Sequence, residues 1–400
     1  VTYSRIANAS YHIGAGAVIL LGASLFVSTA ADTALVALAA ACWFIEGRFR
    51  EKVSRVVKHP VSIAALLLFA FYAAGAAYST AGRADILASL EDALIFLMIP
   101  LFMHYFRHAS HRRCGLWAFG GTSAAILVLS TLLWCDCLPH FSFIKGTPED
   151  AVIFTLHITH GVVMAFAAYY FAVIAHRPSS LLARTGLRCL SILAFFNVFF
   201  MVSGRTGYLV AAVLIVFYLF HVARWKGVAA AAVIIAVIGG AAYVVPDSAL
   251  HLRMTAAFEN ITQWSPYEEY EGTDNSTGRR LSYYYTSLRI VKDHPLFGVG
   301  TGGFKKTYAA ATPYNATDNP HNEYLMTAVQ LGLVGLAVFL FLFLVEWRCA
   351  SSLPDDRYRM LARGFILTIL SASMVSSTLI DHTEGHLFAW LSALLYADLA

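Results

Sequence analysis

Charge is scarce in this 400-residue chain: Asp, Glu, Lys and Arg together make up 13% of it. A soluble domain carries about 25%, so a soluble enzyme and a disordered chain are both excluded. Cysteine offers no framework either. Cys135 and Cys137 stand too close to pair readily, and Cys42, Cys114, Cys189 and Cys349 lie in or beside apolar segments, which reads as free, buried thiols. That excludes a secreted disulfide scaffold. No Gly-rich loop ends in the Gly-Lys-Ser or Gly-Lys-Thr of a nucleotide P-loop, so an ATP site is not expected. The first apolar block runs on without a small-residue cleavage site and is read as a retained span.

What is present is apolar. The hydrophobic fraction is 58% and the mean hydropathy +0.64. The apolar residues gather into twelve blocks near 12–30, 32–46, 61–80, 85–104, 115–135, 151–175, 189–203, 207–220, 227–245, 324–346, 361–380 and 385–400. Blocks of about twenty residues cross about 30 Å of hydrocarbon. In lipid every backbone polar group must be satisfied within the protein, so an all-α polytopic membrane bundle of about twelve helices follows.

The net charge of +4 matters less than its placement. Arg5, Arg48, Arg50, Lys52, Arg55, Lys58, Arg107, Arg112, Arg113, Arg177, Arg184, Arg188, Arg224, Lys226, Arg348, Arg357, Arg359 and Arg363 all fall on one side. The alternate short loops hold only Arg83, Lys145 and Arg205. The positive-inside rule then predicts both termini in the cytoplasm. It sets residues 246–323 on the opposite face as a partly helical cap, between membrane units 1–245 and 324–400. Three Asn-x-Ser/Thr sequons start at Asn260, Asn275 and Asn315; they matter only in a glycosylating compartment.

Ionisable groups at membrane depth are costly and mark functional positions. Arg205, in the turn VSGRTGY, lies on the face that otherwise avoids basic residues, with Gly204 before it and Gly207 two residues after it. The function reading stands ahead of an arginine snorkelling to headgroups. Arg279 and Arg280 open a cap helix over 279–292 whose Leu281, Tyr285, Leu288 and Val291 share a stripe. Two cations at a helix N-terminus oppose its dipole; a nearby anion and a solvated basic pair both account for them. Arg289 lies further along the same helix, in a structural position or a substrate-facing one. The helix is expected to stop at His294-Pro295. In DNPHNEYL, Asn319 caps a helix, Pro320 opens it and His321 falls in its first turn, where the ring stays neutral and fit for general-base work. Asp381, in LIDHTEGH, is open to three readings: orienting a histidine, balancing an arginine, or capping the last span.

The His157/His160 and His382/His386 pairs lack a third ligand at a diagnostic spacing, so polar contacts are favoured over metal. The acidic run Glu268, Glu269, Glu271 and Asp274 reads as a solvated face. Glycines 298, 300, 302 and 303 permit hinge motion.

The SGRTG turn, the segment RRLxxxxxSLxIxxxHPLFGxGTGxF and the return HNEYLxxxxxLGLxG resemble the bacterial O-antigen ligase family over roughly residues 190–390. That resemblance implies a glycosyltransferase with a GT-C-like membrane architecture in the bacterial inner membrane. It implies an undecaprenyl-diphosphate-linked glycan donor, a lipid A–core acceptor, surrounding membrane lipids, and neither a cofactor, a metal nor a nucleic-acid partner. It carries functional arginines onto Arg205 and Arg280, with Arg279 an adjacent alternative, a histidine onto His321 and an aspartate onto Asp381. Ligase is the expected activity. An O-antigen polymerase is the runner-up, a protein O-oligosaccharyltransferase the third reading, and a lipid-linked-sugar transporter the alternative from another class.

Overall fold

The structure is a computed structural model that describes residues 2–139, 141–176, 180–244, 249–270 and 275–399. Among these residues the regular structure is helical, with only an isolated bridge between Thr147 and Asp150. In chain order the helices are α1 (Thr2–Ser24), α2 (Thr29–Glu46), α3 (Phe49–Val56), α4 (Pro60–Tyr78), α5 (Arg83–Ala93), α6 (Ile95–Phe106), α7 (Ala109–Trp134), α8 (His157–Ile174) and α9 (Leu181–Phe196). A π-helical turn, Asn197–Met201, follows α9. Then come α10 (Arg205–Val244), α11 (Ala249–Thr262), α12 (Ser276–Asp293), α13 (Phe304–Ala311), α14 (Glu323–Ala350), α15 (Asp356–Ala372) and α16 (His382–Tyr396).

Among the described residues nine helical segments are long and apolar enough to cross a membrane. One of them, α10, is not straight. Arg224 leaves helical geometry at φ 53°, ψ −134°, and the Cα of Gly227 packs against the backbone of Leu219. Eight residues of straight helix would separate these by about 12 Å, so α10 doubles back into two arms. These arms coincide with two of the apolar blocks. The blocks at 361–380 and 385–400 fall on α15 and α16, which have 17 and 15 residues.

Several block boundaries are corrected. Residues 151–156 are not helical, because Ala151 N–H bonds the Met201 carbonyl (2.8 Å) and holds the chain against the π turn. Residues 373–381 are likewise turns, where serine and threonine side chains compete for the backbone. α1 starts some ten residues before its block, since its polar first turns are still helical. The free thiols divide: Cys42 is buried, whereas Cys114 and Cys189 are exposed, facing outward on helices whose neighbours also show apolar side chains.

α16 explains how a short helix serves as a core. From Thr383 to Tyr396 it is buried at every position but His386, and a helix apolar all round belongs inside a bundle. Its Trp390 donates to the Val18 carbonyl at 2.7 Å, and a Cβ on Gly22 would lie 2.3 Å from the same indole. The peripheral helices are the reverse. Only 22% of the best spanning window of α2 or α9 is buried, and Trp117, Leu182 and Ile192 stand in the open, as lipid contact requires.

The cap, from α11 to the start of α14, has its own small core of Tyr283, Ile290, Val299, Phe304 and Tyr308, closed from below by Met326 and Val329 of α14. α12 stops at Asp293 with His294 as its C-cap, as the proline dictates. The expected stripe is displaced. Leu288 is exposed, and the buried face is Ser282, Tyr283, Thr286, Ser287 and Ile290. The cap core takes the tyrosine-serine face because Tyr283 packs edge-on against Tyr308, leaving leucine outward.

The glycine-rich segment after α12 is a clamp, not a slack hinge. Gly298, Gly300 and Gly302 all have positive φ, and a Cβ at Gly300 would lie 2.4 Å from Ser79. α14 breaks at Gly332 (φ 69°, ψ −173°), and the segment satisfies the groups that the break frees. Val299 and Gly300 donate to the carbonyls of Val329 and Gln330, both at 2.9 Å. Leu333 and Val334 donate to Pro295 and Leu296 at 2.8 and 3.3 Å. Such a break is tolerated at membrane depth only when protein re-satisfies the backbone.

Candidate active site

The start of α10 is set by close packing. Gly207 lies so near Gly161 of α8 that a Cβ would come within 2.9 Å of its Cα, and a Cβ on Gly204 would meet the His157 carbonyl at 2.5 Å. Small residues let helix backbones approach this way. Asp150 fixes the turn by accepting from Ser203 N–H at 2.9 Å, and its other oxygen stands 4.0 Å from His157 Nδ1. Arg205 is then the first residue of α10, half-buried. Its guanidinium forks across the first turn of α12, donating to Thr277 Oγ1 at 2.6 Å and Ser276 Oγ at 2.5 Å.

α12 carries the next cations. Its helix starts at Ser276, so Arg279 and Arg280 close the first turn instead of opening it. Both are half-buried. Burial, with Arg279 adding repulsion, pulls the Arg280 pKa below the usual arginine range, while Tyr284 and Tyr283 oppose the shift. Tyr283 and Tyr284 stand three and four residues on, on the face of Arg280, and both reach His321. The Tyr283 ring stacks on the imidazole at 6.1 Å and 27°. The Tyr284 hydroxyl donates to the His321 carbonyl at 3.2 Å.

His321 itself is outside any helix. The expected cap is wrong by three residues: Asn322 caps α14, accepting from Leu325 N–H at 2.9 Å. Asn319 instead closes a tight turn, accepting from His321 N–H at 2.7 Å, and His321 takes φ 51°. A left-handed residue cannot continue the helix that Pro320 would have opened. The imidazole pKa is lowered to about 4, first by burial, then by the Arg280 and Arg279 charges, with Asp318 opposing. The ring is therefore neutral at pH 7, but by desolvation and two cations, not by a helix terminus.

Asp381 stands apart from this group. It occupies the N-cap position of α16, but its side chain makes no capping bond, and it is exposed. Protein crowding still raises its carboxyl pKa to about 6. Its charge is felt by Asp92, Glu323 and Glu384, whereas the carboxylate acting on His321 is Asp318. Arg289 is not brought in either. Nine residues past Arg280, about two and a half turns, it is exposed over the Tyr285 ring at 5.9 Å.

The sequence reading missed Tyr283, Tyr284 and Asp318. The two tyrosines are signalled only by their spacing from Arg280. It also missed Glu323, buried at the start of α14, whose carboxylate accepts from Leu379 N–H at 3.0 Å and joins the His321 turn to the α15–α16 connection. Ser377, in that connection, donates to Asn319 Oδ1 at 2.7 Å. The remaining histidine pairs have polar partners. His160 Nε2 meets Asn197 Oδ1 at 3.1 Å, and His386 Nδ1 meets the His382 carbonyl at 2.7 Å. Glu269 accepts from Asn315 N–H at 2.7 Å, a structural bond inside the cap. Arg177, Glu271 and Asp274 lie outside the described residues.

Beside Arg205 an apolar cavity of about 730 Å³ opens between the two arms of α10 and α11, with walls that include Phe199, Leu209, Ile238 and Phe258. A cation thus stands at the edge of a large greasy space and grips the helix turn that ends in two more cations, whose charges act on a neutral imidazole. No curated protein matches the chain. Residues 189–340, which hold Arg205, the α12 arginines, His321 and most of that cavity, match the family model described as O-Antigen ligase. Over those residues the chain is similar to the O-antigen ligase family.

Proposed function

We propose that this protein is an O-antigen ligase. In this reading it moves a glycan from undecaprenyl diphosphate to a hydroxyl of lipid A–core, on the periplasmic face of the bacterial inner membrane. The observation that carries it is a chain of contacts: Arg205, at the edge of an apolar cavity, forks onto the first turn of α12, and Arg280 of that helix acts on a neutral His321. That combination suits a donor with a prenyl tail and a diphosphate. The prenyl chain enters the cavity and the diphosphate meets the guanidiniums, whose planar forks match phosphate oxygens.

His321 is the general base in this mechanism. It takes the proton of the acceptor hydroxyl as that oxygen attacks the anomeric carbon. The bond to the diphosphate breaks, configuration inverts, and Arg205 and Arg280 stabilise the charge on the departing group. After burial, the charges of Arg280 and its neighbour Arg279 hold the imidazole pKa down in the free enzyme. An arriving diphosphate offsets their charge and raises that pKa, so the base gains strength when donor is bound. Asp381, more remote, acts in this reading through the α15–α16 connection.

Twelve spans in a GT-C-like arrangement, with both termini cytoplasmic, complete the proposal. The distribution of basic loops and the reversal within α10 support it. The test is incubation of purified protein with lipid-linked glycan and lipid A–core, without ATP or metal. A shift of the core band supports the ligase. Lengthening of the lipid-linked glycan means a polymerase, and neither product returns the transporter.

A further inference from the structure

A polar cavity lies at the other end of the bundle. α4 fixes its position: the far end of this helix donates from Tyr78 to the Phe297 carbonyl of the cap segment at 2.6 Å. Its beginning, at Pro60, is about 28 Å away along the axis. Here the end of α2, the short amphipathic α3, the end of α6 and the chain after α16 enclose about 190 Å³. The lining includes Lys52, Arg55 and Arg107 with His59 and His104, against one carboxylate, Asp398. That carboxylate is already held by Arg112 at 2.8 Å.

Two buried nitrogens of this lining have no hydrogen-bond partner: Arg107 Nε and His104 Nδ1. His104 is 7% exposed. Its Nε2 lies 2.6 Å from the Glu46 carboxylate, so the proton sits on that nitrogen and Nδ1 presents a lone pair. Lys52, by contrast, is engaged by Glu46 at 3.0 Å and by the Trp43 carbonyl. The cavity therefore offers a guanidinium donor beside a histidine acceptor, both desolvated. Buried polar atoms left this way call for a missing partner.

We propose that this cavity binds the headgroup of an anionic phospholipid whose headgroup also carries a hydroxyl. The phosphodiester oxygens accept from Arg107, with Arg55 at the rim, and the hydroxyl donates to His104 Nδ1. A lipid fits better than a soluble phosphate because the adjoining α2–α3 corner exposes Phe44, Ile45, Phe49 and Val53, which belong in hydrocarbon. The cavity beside them is then at headgroup depth. Basic pockets between membrane helices recognise anionic headgroups in this manner.

The test uses the full chain reconstituted in nanodiscs of equal phosphatidylglycerol and phosphatidylethanolamine, with retained lipid counted by native mass spectrometry after extraction. Wild type should retain phosphatidylglycerol preferentially. Arg107→Gln and Arg55→Gln should each lower that retention about fivefold, while Arg184→Gln, an exposed cation on the same face, leaves it unchanged. Free glycerol phosphate at millimolar concentration should displace nothing. Equal retention of the two lipids, unchanged retention in a folded Arg107→Gln or Arg55→Gln protein, or an equal loss in Arg184→Gln overturns the site. Displacement by glycerol phosphate overturns the lipid as its occupant. Should Arg107→Gln fail to fold, Arg55→Gln alone decides.

Discussion

His321 concentrates the chemistry in one ring, and its titration is the sharpest residue-scale prediction. A base works while neutral, and its pKa is lowered to about 4. The acid limb of kcat/KM should therefore fall near pH 4, not near the ordinary histidine value of about 6.5. Removing a cation favours the protonated ring. In Arg280→Gln the His321 pKa, followed by NMR of labelled histidine, should rise without reaching 6.5, because burial remains the larger cause. His321→Ala should lower ligation on the order of a hundredfold or more at unchanged protein level; retained ligation removes the base. Arg205→Lys tests the fork. A lysine cannot hold Ser276, Thr277 and a phosphate with one rigid plane, so donor affinity should fall on the order of tenfold. Unchanged donor binding would sink the phosphate clamp. Arg205 stood out in the sequence because charge at membrane depth needs a reason, whereas Arg280 and His321 were singled out by helix position and the family resemblance. Tyr284 and Asp318 were not, since a tyrosine among three and an aspartate in a loop carry no such penalty.

At the scale of elements, the helices were legible and their ends were not. Proline marked the end of α12 at His294, because its restriction is local. The start of α14 was misread because Asn319-Pro320 has the chemistry of a helix start. The turn bond from His321 N–H to Asn319 uses the same side chain otherwise and shifts the cap to Asn322. The buried face of α12 was misread for a different reason: hydrophobic periodicity favours leucine, whereas the cap core is built from tyrosine rings and hydroxyls. Glycine behaviour also separates by element. At Gly332 a Cβ would meet the Leu296 carbonyl at 2.1 Å, with φ at +69°. Gly332→Ala should therefore destabilise the protein by at least about 2 kcal/mol, read as a fall in Tm. Gly121, on α7, has nothing within 4 Å. There Gly→Ala should be neutral or stabilising by up to about 1 kcal/mol. Equal effects at the two positions would contradict the clamp.

For the whole molecule, the basic loops argue an orientation that can be read directly. In a background without native cysteines, Lys305→Cys in the cap should label from outside intact inner-membrane vesicles of native sidedness. Arg50→Cys should label only after permeabilisation. Both side chains are exposed, so accessibility depends on sidedness alone; the reverse pattern inverts the topology. The all-helical class was legible from composition, since lipid leaves few options to a backbone. The reversal at Arg224 was legible only as a pair of apolar blocks parted by Arg224 and Lys226. The central place of α16 was not legible at all. A fifteen-residue terminal helix gives no sign in its sequence that other helices will surround it.

The exchange of backbone partners between the glycine segment and the break in α14 has a dynamic consequence. Four amide hydrogens, those of Val299, Gly300, Leu333 and Val334, are each held by the other strand of chain. None can open while the other segment stays in place, so the floor of the cap and the upper part of α14 form one cooperative unfolding unit. In hydrogen–deuterium exchange these amides should lose protection together, later than those of exposed α11. Any motion that admits a substrate must then pivot around that unit, leaving α11 and the second arm of α10 as the parts free to move.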